Sequence, residues 1–209
     1  MNRIYLLLLF LLSFTVFSCE SLVEEVNQNP NQIAANSIEA QQYLKGAQLA
    51  NVSVQVGHLQ RVSALWSGQL VGYQGAHKAL FEYQFREAES DASWVNAYHG
   101  VLTQGRHIRA TLPDRPLYQG IAKVMEAHVV GTLASMYGDI PYAEILSGNR
   151  EGAAFDDQME VFEALQNLLD EAIDDLALAP QALISSDLYY AGDKAKWTAA
   201  AWTLKARYY

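Results

Sequence analysis

The side chains able to do acid–base, metal or nucleophilic work are present but scattered. His58, His77, His99, His107 and His128 include no pair four residues apart, and the chain has no His-Glu-x-x-His, Cys-x-x-Cys or phosphate-loop spacing. Such spacing is what aims several ligands at one point, so neither a metal nor a cofactor is expected. The paired carboxylates Asp156/Asp157 and Asp174/Asp175 sit where helix caps and solvated helix faces explain them better than a general acid–base pair. No serine stands in a Gly-x-Ser-x-Gly elbow. No catalytic residue is expected, and the chain does not read as an enzyme.

The residue with assignable chemistry is Cys19, the single cysteine. Arg3 supplies a positive start, and an apolar run from Ile4 to Phe17 follows, interrupted only by Ser13 and Thr15. At about 14 residues the run is short of the roughly 20 that a spanning helix needs, and it matches a secretory signal peptide over residues 1–18. Val16-Phe17-Ser18-Cys19 places a branched aliphatic at −3, a small residue at −1 and cysteine at +1. That pattern resembles a lipobox, where a thioether lipid is added to the cysteine before cleavage. The other reading is ordinary cleavage leaving Cys19 as a free thiol. The cysteine's place at the end of the apolar run favours lipidation.

Residues 19–36 are polar, centred on Asn27-Gln28-Asn29-Pro30-Asn31-Gln32, and read as a tether. The remainder, 37–209, is one domain of ordinary globular composition, 51% apolar and 18% charged over the whole chain. The net charge is −9, and loss of the leader, which holds Arg3 and no acid, leaves 13 basic against 23 acidic residues, or −10. Such a field repels nucleic acid.

Helical periodicity runs through almost all of this domain. Asn36 and Glu39 have capping-box spacing ahead of the stripe Ile38, Tyr43, Leu44, Ala47, Ala50 and Val54, and Gly57 breaks that helix. Leu59, Val62, Trp66 and Leu70 continue at threes and fours. Ala79–Phe85 alternates apolar and polar from Phe81 and is predicted to be extended. Ser90 or Asp91 caps a helix carrying Trp94, Tyr98, Val101, Gly105 and Ile108. Pro116 opens a long helix to Tyr137, with Ile121, Val124, Met125, His128, Leu133 and Met136 inward. Asp156 or Asp157 caps a helix bearing Met159, Phe162, Leu165, Leu169, Ile173 and Leu176 and ended by Pro180. The last begins after Asp193, with Trp197, Ala201 and Leu204 inward, and its pattern runs on into Tyr208-Tyr209, which is read as a truncated end. The expected architecture is all-α, stacked antiparallel helix hairpins of the tetratricopeptide kind, without a clean 34-residue consensus.

Packing does not account for Tyr137-Gly138-Asp139-Ile140-Pro141-Tyr142. Gly138 permits a left-handed turn, Asp139 can accept N–H groups within it and Pro141 stops the helix, so these residues read as a rigid structural corner. The segment resembles the "YGD(I/V)PY" turn of the SusD/RagB outer-membrane lipoproteins. Other pieces of that resemblance occur in order: the lipobox Cys19, Asn29-Pro30-Asn31, Trp94-Val-Asn-Ala-Tyr98, Leu169-Asp-Glu-Ala-Ile173, Gly192-Asp-Lys-Ala-Lys-Trp197 and Leu204-Lys-Ala-Arg207.

The resemblance implies the N-terminal part of a SusD-like lipoprotein anchored in the outer membrane and facing the cell exterior. Such proteins form a lid over a SusC-like TonB-dependent barrel, capture glycans or peptides, and pass them inward. Their glycan sites stack aromatic faces on sugar rings. Tyr73, Gln74, Phe81, Tyr83 and Phe85, read as lying outside regular helices, are the candidate ligand-binding residues here. Trp66, Trp94, Trp197 and Trp202 fall on helical stripes and are read as core. A lipid-anchored helical scaffold for another envelope protein, without a nutrient ligand, is the competing function.

Overall fold

Seven helices organise residues 39–145 and 152–209, which are the residues the computed structural model describes. The signal peptide, Cys19, the tether and the Asn36/Ile38 helix start all lie outside them. The helices are α1 (Ala40–Gln55), α2 (His58–Trp66), α3 (Gly75–Phe81), α4, α5 (Pro116–Tyr137), α6 (Gln158–Leu178) and α7 (Lys194–Arg207). α4 starts as Asp91–Val95, widens into a π-helical stretch Asn96–Thr103 and finishes as Gln104–Thr111. Among the described residues β pairing is limited to an isolated antiparallel bridge between Ile140 and Asp156.

α5 is the central helix. Its sequence is apolar nearly all round, as burial on several sides demands, and Leu117, Ile121, Val124, Met125, Ala127, Val129, Val130, Leu133 and Ala134 are all buried. α4 runs antiparallel to it, with Gln119 reaching the Arg109 carbonyl at 2.8 Å at one end and the Tyr98 hydroxyl donating to the Pro141 carbonyl at 2.8 Å at the other. α6 lies antiparallel on another side, where Lys123 of α5 pairs with Glu171 and Asp175, both at 2.9 Å. α7 returns along α6, joined by Lys205–Asp170 at 2.7 Å and by Lys194 Nζ to the Ala179 carbonyl at 2.6 Å. α1 runs against α4, with Tyr43 on His107 and Ala50 on Gly100. A β-carbon on Gly100 would fall 2.5 Å from that of Ala50, so this crossing requires glycine. The described residues form the all-α, stacked antiparallel hairpin architecture.

Capping follows the acidic residues. Asp157 accepts the Met159 N–H at 2.8 Å to start α6, and Asp193 accepts those of Ala195 and Lys196 to start α7. Asp156 does something else: its Oδ2 takes the N–H groups of Tyr142 and Ala143 at 2.7 and 2.9 Å. Asp139 likewise serves the far element, accepting the Gln158 N–H at 3.0 Å rather than an N–H of its own turn. The corner after α5 is thus tied to the start of α6 from both sides. Gly138 turns it at φ +80°, where any β-carbon is disfavoured although the space around it is empty. Asp175 is part of the Lys123 pair rather than a solvated position.

Further expectations are corrected. Residues 79–85 are not extended: Gly75–Phe81 is helical and residues 82–83 turn, because i→i−4 bonding continues from Lys78 to Glu82. Phe81 therefore ends a helix instead of lying outside one. Met159 and Trp202 face solvent at 68% and 55% exposure, since each stripe is wider in sequence than the surface its neighbours cover. α7 ends at Arg207, and Tyr208 turns inward, stacking on Phe162 and donating to the Ala127 carbonyl at 3.2 Å.

Candidate ligand-binding surface

A small core of Val62, Leu65 and Leu80, with Phe85 and Met136 against it, joins α2 to α3 and supports an aromatic surface above. Trp66, the last residue of α2, donates its indole N–H to the Leu80 carbonyl at 2.8 Å, which fixes the ring plane. Tyr83 stacks on it with centroids 5.7 Å apart and 30° between planes, and Phe85 meets it edge-on at 5.7 Å. Phe85 in turn lies 6.1 Å from the His58 ring.

The backbone beneath Tyr83 is unusual. The Tyr83 N–H bonds the Leu80 carbonyl and the Gln84 N–H bonds the Ala79 carbonyl, closing α3 in a Schellman motif. The left-handed position of that motif belongs by preference to glycine, yet it is occupied by Tyr83 at φ +60°. The residue is 70% exposed. A large aromatic held at a strained position and turned to solvent is an outlier that packing does not explain.

Of the five candidate residues, the structure joins Tyr83 and Phe85 through Trp66. Phe81 is at the surface at the end of α3, and Gly72 packs its backbone against it. Tyr73 and Gln74 are exposed just before α3, without a ring contact to the other three. Trp66, expected in the core, is instead the centre of the group. The signal available for it was its position against Ser67-Gly68, where a helix stripe ends.

Three other polar arrangements escaped sequence reasoning because their members are far apart in the chain. Glu126, 2% exposed, holds Arg106, Arg109 and the Tyr142 hydroxyl. The excess of cation is met by the Tyr142 ring, 5.4 Å from the Arg106 guanidinium. Burial, then the adjacent carboxylate, pushes the Tyr142 phenol well above its ordinary range. Asp187 accepts from Gln48, Trp197, Tyr189, Tyr190 and Gly192, pinning the loop before α7. Burial opposes its charge, but bonds from Trp197, Gly192, Gln48 and Tyr189 outweigh that and hold the carboxyl below its usual range. The third is His128, whose Nδ1 lies 3.2 Å from the Asn51 amide beside an apolar cavity of about 400 Å³. Burial, assisted by Arg207, pulls its pKa down to about 4, so the ring is neutral at physiological pH. Among the described residues no three His, Cys, Asp or Glu side chains are grouped as a metal cage.

Antiparallel hairpins around a central helix define a helical-repeat protein of tetratricopeptide-like class. The family model described as "SusD-like_2: Starch-binding associating with outer membrane" matches residues 30–208, and the chain belongs to that SusD-like family. Two solved Bacteroides thetaiotaomicron proteins are similar. A SusD/RagB family protein has TM-score 0.72 and 22% identity, over 82% of this chain and 38% of its own. A SusD-like protein has TM-score 0.66 and 25% identity, over 81% and 37%. A chitin-binding SusD homologue from Flavobacterium johnsoniae has TM-score 0.61 and 19% identity, over 79% and 38%. The chain therefore spans less than two-fifths of these relatives. No curated protein sequence matches it.

Proposed function

We propose that the intact protein is a glycan-binding, non-catalytic lipoprotein of the outer membrane, anchored through Cys19, facing the cell exterior and acting as the lid of a SusC-like TonB-dependent barrel. The observation that carries the reading is Tyr83: 70% exposed, stacked on an immobilised Trp66, and held at φ +60° where glycine would cost less. Flat aromatic faces suit the apolar faces of sugar rings, and two adjacent rings with fixed planes lose little entropy on binding. The family's description and the chitin-binding homologue both support a carbohydrate ligand. A lid must release its cargo, so a dissociation constant of roughly micromolar to millimolar suits the task.

The test is calorimetry of the full-length protein against starch and chitin oligosaccharides and peptides, with product analysis. Tyr83→Gly is the decisive variant. It relieves the backbone while deleting the ring, so the protein should be as stable as the parent or more so, yet bind about tenfold more weakly. Turnover of any ligand overturns the non-catalytic reading, and undiminished binding by Tyr83→Gly removes the platform from the site. Cys19→Ser should abolish detergent-phase partitioning. Absence of a barrel in a pull-down from solubilised outer membrane, with no ligand in the panel, moves the assignment to an envelope scaffold.

A further inference from the structure

The cavity of about 400 Å³ beside His128 lies among α5, α7 and the loop that leads into α7. Val124, Met125, Trp197 and Leu204 give it a mostly apolar lining, and Lys196 and Thr203 stand exposed at its rim. Small ligands use cavities of this size and polarity where a few polar groups of fixed orientation converge on them.

One such group is fixed here by a buried chain of hydrogen bonds. The Tyr189 hydroxyl donates its one proton to the Gln48 carbonyl at 3.0 Å, so it can only accept from the Asn51 amide, 3.3 Å away. Asn51 is fully buried, and its side-chain oxygen accepts from Gln55 at 3.3 Å. The other N–H of the Asn51 amide turns to His128 Nδ1 at 3.2 Å. Nδ1 is therefore the acceptor, and the proton of the imidazole sits on Nε2. That Nε2–H has no protein partner among the described residues. Burial keeps the ring neutral, so His128 offers the cavity one donor in one tautomer.

The surrounding charges select the occupant. Among the described residues no Asp or Glu lines the cavity. Lys196 does, tied only by a 3.8 Å approach to Asp193, and Arg207 stands close enough to oppose protonation of His128. Asp187, bonded to the Trp197 indole, is already satisfied by Gln48 and the loop N–H groups. An imidazole N–H, a cationic rim and an apolar lining together suit a carboxylate on a hydrocarbon or aromatic body. A sugar would leave hydroxyls unpaired against Val124, Met125 and Leu204.

We propose that this cavity binds a small apolar carboxylate, whose oxygen accepts from His128 Nε2–H and whose charge faces Lys196. The site shares no residue with the Trp66–Tyr83 platform and does not rest on the glycan reading.

The test is nuclear magnetic resonance of the full-length protein carrying isotope-labelled histidine, the His128 signals being assigned through His128→Gln. The probe is phenylbutyrate, with phenylbutyramide as the uncharged control. Phenylbutyrate should shift the His128 Nε2 signal saturably at about millimolar concentration or below, and the amide should bind about fivefold more weakly or worse. Ala200→Leu places a larger side chain on the cavity wall and should abolish the shift, with the far-ultraviolet dichroism unchanged. Lys196→Gln, at an exposed position, should weaken phenylbutyrate about twofold or more and leave the amide unaffected. No shift at all, equal affinity for acid and amide, or full binding by either variant would overturn the proposal. Oligosaccharide binding by Ala200→Leu, read in parallel, should be unaltered, so failure here is distinguishable from failure of the platform.

Discussion

Replacing Glu126 by leucine removes the acceptor for two guanidinium groups and a phenol in one step. Glu126 Oε1 receives Arg106 Nε and Nη2 at 3.1 and 2.9 Å and the Tyr142 hydroxyl at 3.1 Å, while Oε2 receives Arg109 Nη2 at 2.7 Å. The arginine side chains are 24% and 21% exposed, so water can replace only part of what is lost. Removing one partner of a buried ion pair costs about 3–5 kcal/mol, and the partial exposure places this case near 3. The stranded Tyr142 hydroxyl adds about 1 kcal/mol. The expected loss is therefore about 4 kcal/mol. The control is Glu82→Ala, which breaks an exposed i,i+4 pair with Lys78 at 3.7 Å and should cost no more than about 0.5 kcal/mol. Urea unfolding of the intact protein, followed by tryptophan fluorescence and near-ultraviolet dichroism, measures both. Adding Arg106→Met and Arg109→Met to Glu126→Leu should recover at least about half of the loss, because no buried charge is then left over. A loss below about 1 kcal/mol for Glu126→Leu, or no recovery in the triple variant, would refute the claim that uncompensated charge sets the cost.

Two further outcomes rest on single positions. Folded His128 stays neutral down to about pH 4, whereas the unfolded chain binds a proton below about pH 6.5. Stability is thus lost as pH falls from about 6.5 toward 4, by up to about 3 kcal/mol, and His128→Gln should flatten that decline in unfolding titrations at pH 7.5 and 5. Asp187, held below its usual range, adds a loss only at lower pH, as the folded carboxylate takes up its proton. Gly138→Ala meets no atom within 4 Å, so its cost is backbone strain alone, about 1–3 kcal/mol. An unchanged melting temperature would show that the turn accepts a β-carbon.

Local information determined the helices and their ends. Pro116 at the first turn of α5, Asp157 and Asp193 as caps, and Gly57 between α1 and α2 act through bonds a few residues long, so sequence spacing alone reveals them. The ordered motifs that resemble SusD-like proteins carried the family for the same reason, being short and contiguous. The Ala79–Phe85 segment misled because alternation over seven residues suits a strand or one turn of a half-buried helix, and only the contact of α3 with α2 separates them. Periodicity also says which face of a helix is apolar without saying how much of it a neighbour covers. That is why Trp197 is buried at 2% while Trp202, five residues on, is 55% exposed. The polar clusters and the platform were set by tertiary structure. Glu126 finds Arg106 twenty residues away, Asp187 finds Gln48 at a separation of 139, and Tyr83 finds Trp66 across a turn and a helix. Pairings at such separations depend on how the helices cross, and the crossings are decided by shape, as where Gly100 admits Ala50. A linear pattern does not contain that shape.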